Sequence, residues 1–409
     1  MEKRTQTRRI FLGNVATGLA GTLATGLSAG RALAGTSRIR IGVIGAGERG
    51  IQLMREAAAC PDTELAAICD IYARRLEDAA QLAPAARTCT DYRQMLADPS
   101  LDAVVIATPQ HLHAECFLAA LAAEKHIFQE KAMAFTVDEA KSMRAAYRDR
   151  TVANQVVQIG HQQCSSGQVS DAANYLASGG VGQVTAIRAR MYRNTPHGKP
   201  LWTRPVYPDM TPDRIAWNAF LGSAPPRDFD PDRYINWRLF SDYSGGNVHE
   251  NMSHQIAFWY KAMDLQIPRA VTMTGDIYRW KDGREVPDTM SVAMAHYEDI
   301  LFSWESGFGN NQPGVSEDVL GTDGTILRGQ QIRYVPQKVN RPDGMEMMGQ
   351  SATAPRAHMQ NFLDCIRTGA ETNCPFEIGY RVSVTCAMAI ESYRLGRTVY
   401  WDPATEELI

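Results

Sequence analysis

The sequence predicts an α/β protein in two parts: a parallel sheet wound with helices, then an α/β domain whose open sheet is largely antiparallel. Three observations lead there. Ile39, Ile41 and Val43 alternate and run into a glycine turn. Short β-rich runs and helical stretches then take turns as far as residue 158, and beyond it alternating segments follow one another in an antiparallel-looking series.

Taken in order, further strands are expected at residues 65–69, 103–107 and 126–128. The unbroken run Ala103-Val104-Val105-Ile106-Ala107 suits a strand covered on both faces. Helical stretches such as 114–123 separate the strands. Thr136 with Glu139 three residues on is a capping box that starts a helix running to about Arg150. In the second part a helix over 169–177 closes at Gly179, and alternating segments follow at 184–191, 270–277, 291–297, 301–304 and 325–333. Helices over 356–368 and 377–395 end the chain. Residues 195–232 are rich in Pro, Asp and aromatic side chains, and a loop that long inside a compact domain is usually functional or disordered. Trp202, Tyr207, Trp217 and Tyr234 favour a loop that covers a substrate.

At 409 residues the chain has room for two or three domains of about 150 residues each. A 44% hydrophobic share, 21% charged residues and a mean hydropathy of -0.28 describe a soluble globular protein. With 42 basic against 45 acidic residues the net charge is -3, which excludes a strongly basic nucleic-acid binder. Thr7-Arg8-Arg9-Ile10-Phe11-Leu12, a weakly apolar run to Ala29, and Ala32-Leu33-Ala34 before Gly35 read together as a twin-arginine export signal. Residues 1–34 are therefore expected to be removed, leaving a periplasmic or otherwise exported protein with no membrane span in its mature form. The parts that remain are expected at 35–158 and 159–409. The eight cysteines show no CxxC or His-spaced cluster, and twin-arginine substrates fold in the reducing cytoplasm, so buried free thiols are expected rather than bridges.

Gly45-Ala46-Gly47-Glu48-Arg49-Gly50 is a GxGxxG set where a strand ends and a helix begins, so its backbone can approach a pyrophosphate at the helix N-terminus. Asp70 follows Gly50 by 20 residues at the end of the next strand, the position from which a carboxylate binds the adenine ribose hydroxyls. Strand, glycines, helix and acid in this order make residues 35–158 a Rossmann dinucleotide-binding domain. Asp70 favours NAD by repelling a 2′-phosphate; Arg74 and Arg75, one turn on, could reverse that preference, which keeps NADP open. Thr108-Pro109 ends the buried strand at the sheet edge where such folds place their ligand crevice. His111 and His113 follow as candidates to line the cofactor channel. Glu130-Lys131 ends the next strand on the same edge, where a partly desolvated lysine could move a proton with a hydride.

Gly245-Gly246 opens a helix through Trp259 in which Glu250 and His254 stand four apart, a spacing that stacks both on one face and lets the carboxylate orient or charge the imidazole. No metal is expected here, because His249, Glu250 and His254 do not make HExxH and His249 faces elsewhere.

The glycine loop with Asp70, Ala107-Thr108-Pro109, Glu130-Lys131, Gly160-His161-Gln162 and the Gly245-Gly246 helix with His254, in this order over the mature length, resemble the Gfo/Idh/MocA oxidoreductase family. The stretch 216–246 is similar to that of the family's exported members. The resemblance implies a C-terminal domain with an open antiparallel sheet often used for homo-oligomerisation, and a sugar or cyclitol bound between the domains. Two positions depart from the family pattern: Ala132 replaces the proline of Glu-Lys-Pro, and Glu250 replaces an aspartate. Both leave the titratable groups in place, and the proton donor stays open between Lys131 and His254.

Two activities are expected from this set. One is an oxidoreductase in which a tightly held nicotinamide cofactor takes hydride from a sugar, glycoside or cyclitol carbinol while Lys131 or His254 takes the hydroxyl proton. The other is an NAD-dependent glycoside hydrolase that oxidises a ring carbon, eliminates the aglycone, adds water and returns the hydride. A sugar-binding or interaction protein without catalysis is the third reading, and the presence of Lys131, Glu250 and His254 argues against it.

Overall fold

The computed structural model describes residues 38–312, 314–352 and 356–409. The export-signal expectation, with its boundary at 34, lies outside them. The N-terminal half alternates β1 (Ile39–Ile44), α1 (Glu48–Ala58), β2 (Thr63–Cys69), α2 (Ala73–Leu82), β3 (Arg87–Cys89) and α3 (Tyr92–Leu96). It continues with β4 (Ala103–Ile106), α4 (His113–Ala122), β5 (His126–Gln129), α5 (Val137–Arg148) and β6 (Val157–Ile159). The six strands pair in parallel in the order β3-β2-β1-β4-β5-β6, the doubly wound arrangement in which the crevice opens where the order reverses, between β1 and β4. β4 is buried along its whole length, as its apolar run requires. The capping box forms as expected: Thr136 Oγ1 accepts from Glu139 N at 3.2 Å, and the Glu139 carboxylate accepts from Thr136 N.

The second half holds α6 (Gly167–Ala177), β7 (Val184–Tyr192), the short helices α7 (Trp217–Leu221) and α8 (Pro231–Ile235), then α9 (Ser253–Met263). After it come β8 (Ala270–Asp276), β9 (Thr289–Ala295), β10 (Leu301–Gly307), β11 (Val315–Gly321), β12 (Gly324–Arg328), β13 (Gln331–Pro336) and β14 (Met347–Ser351). Helices α10 (Arg356–Thr368) and α11 (Phe376–Leu395) precede β15 (Val399–Asp402) and β16 (Glu407–Leu408). The ten strands order as β14-β13-β12-β11-β7-β10-β9-β8-β15-β16, antiparallel except where β7 meets β10. The run expected as one strand over 325–333 is two: it turns at Gly329-Gln330, and β12 folds back on β13. Strands β3, β6, β11 and β14 to β16 have no counterpart among the strands expected from the sequence.

Two helices from the far end of the chain close the parallel sheet. α11 packs its buried face on α5, α9 and β8, and belongs to a core continuous with β4 and β5. On the opposite face Met359, Phe362 and Leu363 of α10 share a core with Ile39, Ile41, Val43 and Leu53. Among the described residues no helix is long and apolar enough to cross a membrane. None of the eight cysteines is in a disulfide; seven are buried and Cys89 is half-buried.

Candidate functional site

A cavity of about 830 Å³ runs along the carboxyl ends of the parallel strands, from Asp91 and Tyr92 past the glycine loop to Lys131, Glu250 and His254. That is within the range of pockets that enclose a small-molecule cofactor. Its geometry is set first by the glycines. Gly45 has φ +92°, and a Cβ there would lie 2.7 Å from the Ala107 carbonyl oxygen; a Cβ on Gly50 would lie 1.9 Å from the Gly45 oxygen. Gly47 caps α1 without a side-chain bond, which leaves the helix N-terminus facing the cavity.

Asp70 is buried at the end of β2 and pins this loop, Oδ2 accepting from Ala46 N at 2.7 Å and Oδ1 from Tyr72 N at 2.9 Å. Arg75 Nη1 stands 3.9 Å from it, lines the cavity, and lies under the Tyr234 ring at 5.0 Å. Arg74 is directed elsewhere, paired with Asp209 at 3.2 Å and stacked on Tyr207. Glycine cradle, helix N-terminus and carboxylate together fit a dinucleotide, and Gly45, Gly47, Asp70, Arg75, Thr108, Pro109, Glu130 and Lys131 all line the one cavity, while Gly50 lies behind it, packed on the Gly45 carbonyl.

The two loop histidines lie apart from that lining. His111 Nε2 donates to the Phe220 carbonyl at 2.7 Å, packs against Phe220 and Tyr243, and is held neutral by burial, which pushes it down to about 4. It anchors the 195–243 segment instead of facing the cofactor channel. His113 sits between two carbonyls, Nδ1 2.6 Å from Ala132 O and Nε2 3.0 Å from Thr108 O, and so ties together the turns that end β4 and β5.

The chemistry gathers beyond Glu130. Lys131 Nζ donates to Glu250 Oε2 at 3.0 Å and to the Glu250 carbonyl at 3.1 Å. Gln110 Nε2 donates to Glu250 Oε1 at 2.7 Å, and Arg238 Nε lies 3.3 Å from Oε2. Burial alone would raise the Glu250 carboxyl, but Lys131 and Arg238 override it and hold the group at about 2. Glu130 in turn accepts from Arg49 Nε at 2.7 Å.

His254 lines the same cavity but is not oriented by Glu250, contrary to the expectation from their spacing. The reason is the backbone: Val248–Met252 winds as a π-turn before α9, which shifts the register of the two side chains. Glu250 faces Lys131, whereas the His254 ring meets His161 edge-on at 5.4 Å. Burial, with Lys131 and His161 nearby, drives His254 well below its ordinary value, so the imidazole is neutral at neutral pH. Its Nδ1 and both nitrogens of His161 are buried without hydrogen-bond partners among the described residues. His249 faces Phe135, away from the cavity lining.

Arg49, Gln110, Gln162, Trp202, Trp237 and Arg238 also line the cavity, and the sequence reading assigned none of them to the cofactor or to catalysis. Gln110 and Arg49 carried a usable signal, one adjoining the strand-end Thr108-Pro109 and the other inside the glycine loop. Arg238 carried none, because its partner Glu250 lies in a separate turn of the chain that no helical or strand spacing connects to it.

Two family models match the chain. "Oxidoreductase family, NAD-binding Rossmann fold" covers residues 39–160, and "Oxidoreductase family, C-terminal alpha/beta domain" covers 227–400. Levoglucosan dehydrogenase of Pseudarthrobacter phenanthrenivorans is 36% identical over 99 residues, 24% of this chain and 25% of that protein. A glycosyl hydrolase family 109 protein of Shewanella baltica is 36% identical over 110 residues, 25% of this chain and 24% of its own length. The chain spans about half or less of the length of the curated relatives it matches first. A solved structure of levoglucosan dehydrogenase with NADH and levoglucosan superposes with a TM-score of 0.67 at 20% identity, covering 89% of this chain and 99% of that one, a likeness of fold.

Proposed function

The chain belongs to the Gfo/Idh/MocA oxidoreductase family, and within it we propose an NAD-dependent oxidoreductase that acts on the hydroxyl of a sugar, glycoside or cyclitol while keeping its cofactor tightly bound. One observation carries this reading: the Lys131–Glu250 pair and the neutral His254 line the same cavity as the glycine loop and Asp70. NAD, when bound by the glycine loop and Asp70, supplies the hydride acceptor. Lys131 holds a proton at its Nζ between Glu250 and the cavity, in position to exchange it with a substrate hydroxyl. Glu250, saturated by Lys131, Gln110 and Arg238, stays ionised and orients Lys131 without itself acting as an acid. His254, neutral and facing the cavity, is the second group able to accept a proton. Trp202 and Trp237 offer apolar faces to a sugar ring.

A second reading is supported by the local likeness to a glycosyl hydrolase family 109 protein. Hydride removal at a ring carbon acidifies the neighbouring C–H; a base takes that proton, the aglycone leaves, water adds across the double bond, and the hydride returns. The net reaction is hydrolysis, and the cofactor ends as it began. Exported life by the twin-arginine route fits either reading when a folded, loaded protein is what crosses the membrane. Leu301, Val315 and Tyr400, exposed on strands of the large sheet, support a homo-oligomer built on that sheet.

A panel of chromogenic glycosides, with aglycone and reduced nicotinamide followed together, separates the two. Reduced nicotinamide reaching the level of bound cofactor with no aglycone released supports the dehydrogenase. Aglycone release over many turnovers without net reduction establishes the hydrolytic cycle, and neither signal with any sugar or cyclitol overturns both.

A further inference from the structure

The segment 202–243 borders the cavity at the carboxyl ends of the parallel strands and is tied to both halves of the molecule, on the C-terminal side through Glu285, whose carboxylate accepts from Ser241 N at 2.9 Å and whose N donates to Leu239 O at 2.8 Å. Its main chain is stitched to the residues after Asp70: Tyr72 and Ile215 form an antiparallel bridge, with Ala216 N donating to Ile71 O at 3.0 Å and Ala73 N to Arg214 O at 3.1 Å. Arg204 grips Glu48, the first residue of α1, through two bonds of 2.8 and 2.9 Å. Beneath these ties lies a core of its own, in which Tyr72 of the Rossmann half joins Ile215, Trp217, Phe220, Tyr234 and Tyr243. His111, from the turn after β4, donates to the Phe220 carbonyl and fixes the far side. The inner surface of the segment, from Trp202 and Arg204 to Tyr234 and Arg238, walls the cavity opposite the glycine loop.

We propose that this segment is the second wall of the cofactor site, and that it retains NAD as a built-in group whose departure requires the Tyr72–Ile215 stitch to open. The inference rests on the NAD reading above and adds which residues set retention. Two of its features have no other account in the fold. Arg75 is half-buried between Asp70 and the Tyr234 ring, a cation held at the cavity wall by a residue of the segment. The aromatic core backs one side of a crevice that in an open doubly wound sheet faces solvent. Release of a nucleotide is then coupled to local opening of a packed, hydrogen-bonded unit, which is slower than diffusion out of an open groove.

The test is nucleotide retention, which needs no substrate. The purified full chain is loaded with radiolabelled NAD, passed through a desalting column and chased with unlabelled NAD. Wild type is expected to keep label through the column and to exchange slowly. Ala216→Pro deletes the donor to Ile71 at a residue whose φ of -74° already suits proline; it is expected to exchange at least about tenfold faster. Arg204→Ala, at an exposed position, serves as the second variant and is expected to move in the same direction. Far-UV circular dichroism and the melting temperature report whether either variant has lost its fold. Wild type exchanging within the dead time, or both folded variants exchanging at the wild-type rate, overturns the proposal. A chain that takes up no NAD at any concentration, including on refolding with it, fails the NAD reading itself and is distinguishable from both.

Discussion

Lys131 and Glu250, 119 residues apart, meet at 3.0 Å because the end of β5 and the π-turn before α9 face each other across the crevice. Glu250 holds the ammonium from two directions, by its side-chain Oε2 and by its backbone carbonyl oxygen. Lys131 thereby has a fixed position at the cavity wall. That arrangement gives the first prediction. Glu250→Gln removes the charge and leaves two cations facing a neutral amide; turnover is expected to fall by about 10²-fold or more while NAD remains bound. Steady-state kinetics with a nucleotide count on the same sample checks both halves.

Lys131→Ala and His254→Ala are each expected to retain NAD and lose most turnover, on the order of 10² to 10⁴-fold. A wild-type rate in either variant removes that residue from proton transfer and leaves the other as the donor. Because burial keeps His254 neutral at neutral pH, its role needs no proton from solvent in the resting site.

Acid stability should be governed by buried histidines. His111, His126, His249, His296 and His358 are pushed down to about 4 and His161 to about 3, all chiefly by burial. A base whose folded value is depressed binds its proton more readily in the unfolded chain, so stability is full above about 6.5 and declines as pH falls from there toward 4. Urea midpoints measured between pH 7 and 4 should fall steadily. His161→Leu, which replaces a ring with two unpartnered nitrogens, should flatten that dependence.

Glu250 acts in a lower window and with the opposite origin. Its folded value, about 2, lies below the ordinary 4.5, so its stabilising contribution is complete above about 4.5 and is lost as pH falls through 2. Comparing the unfolding of wild type and Glu250→Gln between pH 5 and 2 should show the two curves converging toward the acid end.

At the glycine loop, Gly50→Ala places a methyl 1.9 Å from the Gly45 oxygen, a backbone atom that cannot turn aside. It is expected to cost about 1–3 kcal/mol and to abolish NAD binding, as read by melting temperature and by titration. Asp70→Asn keeps the shape but weakens the pin on Ala46, and is expected to narrow the preference for NAD over NADP when the two are titrated side by side.

Much of this was legible from local pattern. β1, β4 and β5 carry apolar stripes that only buried strands need, and Thr136-x-x-Glu139 announces its helix by its own hydrogen bonds. β11 escapes because Glu317 is buried on it, its charge met by Arg328 of the next strand and by Gln255, partners that a strand pattern cannot show. The turn at Gly329 escapes because β-rich residues continue on both sides of it. In the site, the glycine loop, Asp70, Lys131, Glu250 and His254 are legible from spacing along the chain. The pairing of Glu250 with Lys131 in place of His254 depends on a π-turn, which helical periodicity does not encode. His111 looks like a channel residue until the fold brings Phe220 to it from 109 positions away.

The position of α10 bears on how the molecule is made. β1 and the glycine loop are among the first parts of the fold to be translated, yet the apolar face of their sheet is covered by Met359, Phe362 and Leu363, among the last. A nascent chain therefore cannot finish its N-terminal half as synthesis proceeds, and exposes that face until the final helices emerge. A chain truncated before α10 is expected to leave that face bare and to fold poorly, and not to behave as a smaller nucleotide-binding protein.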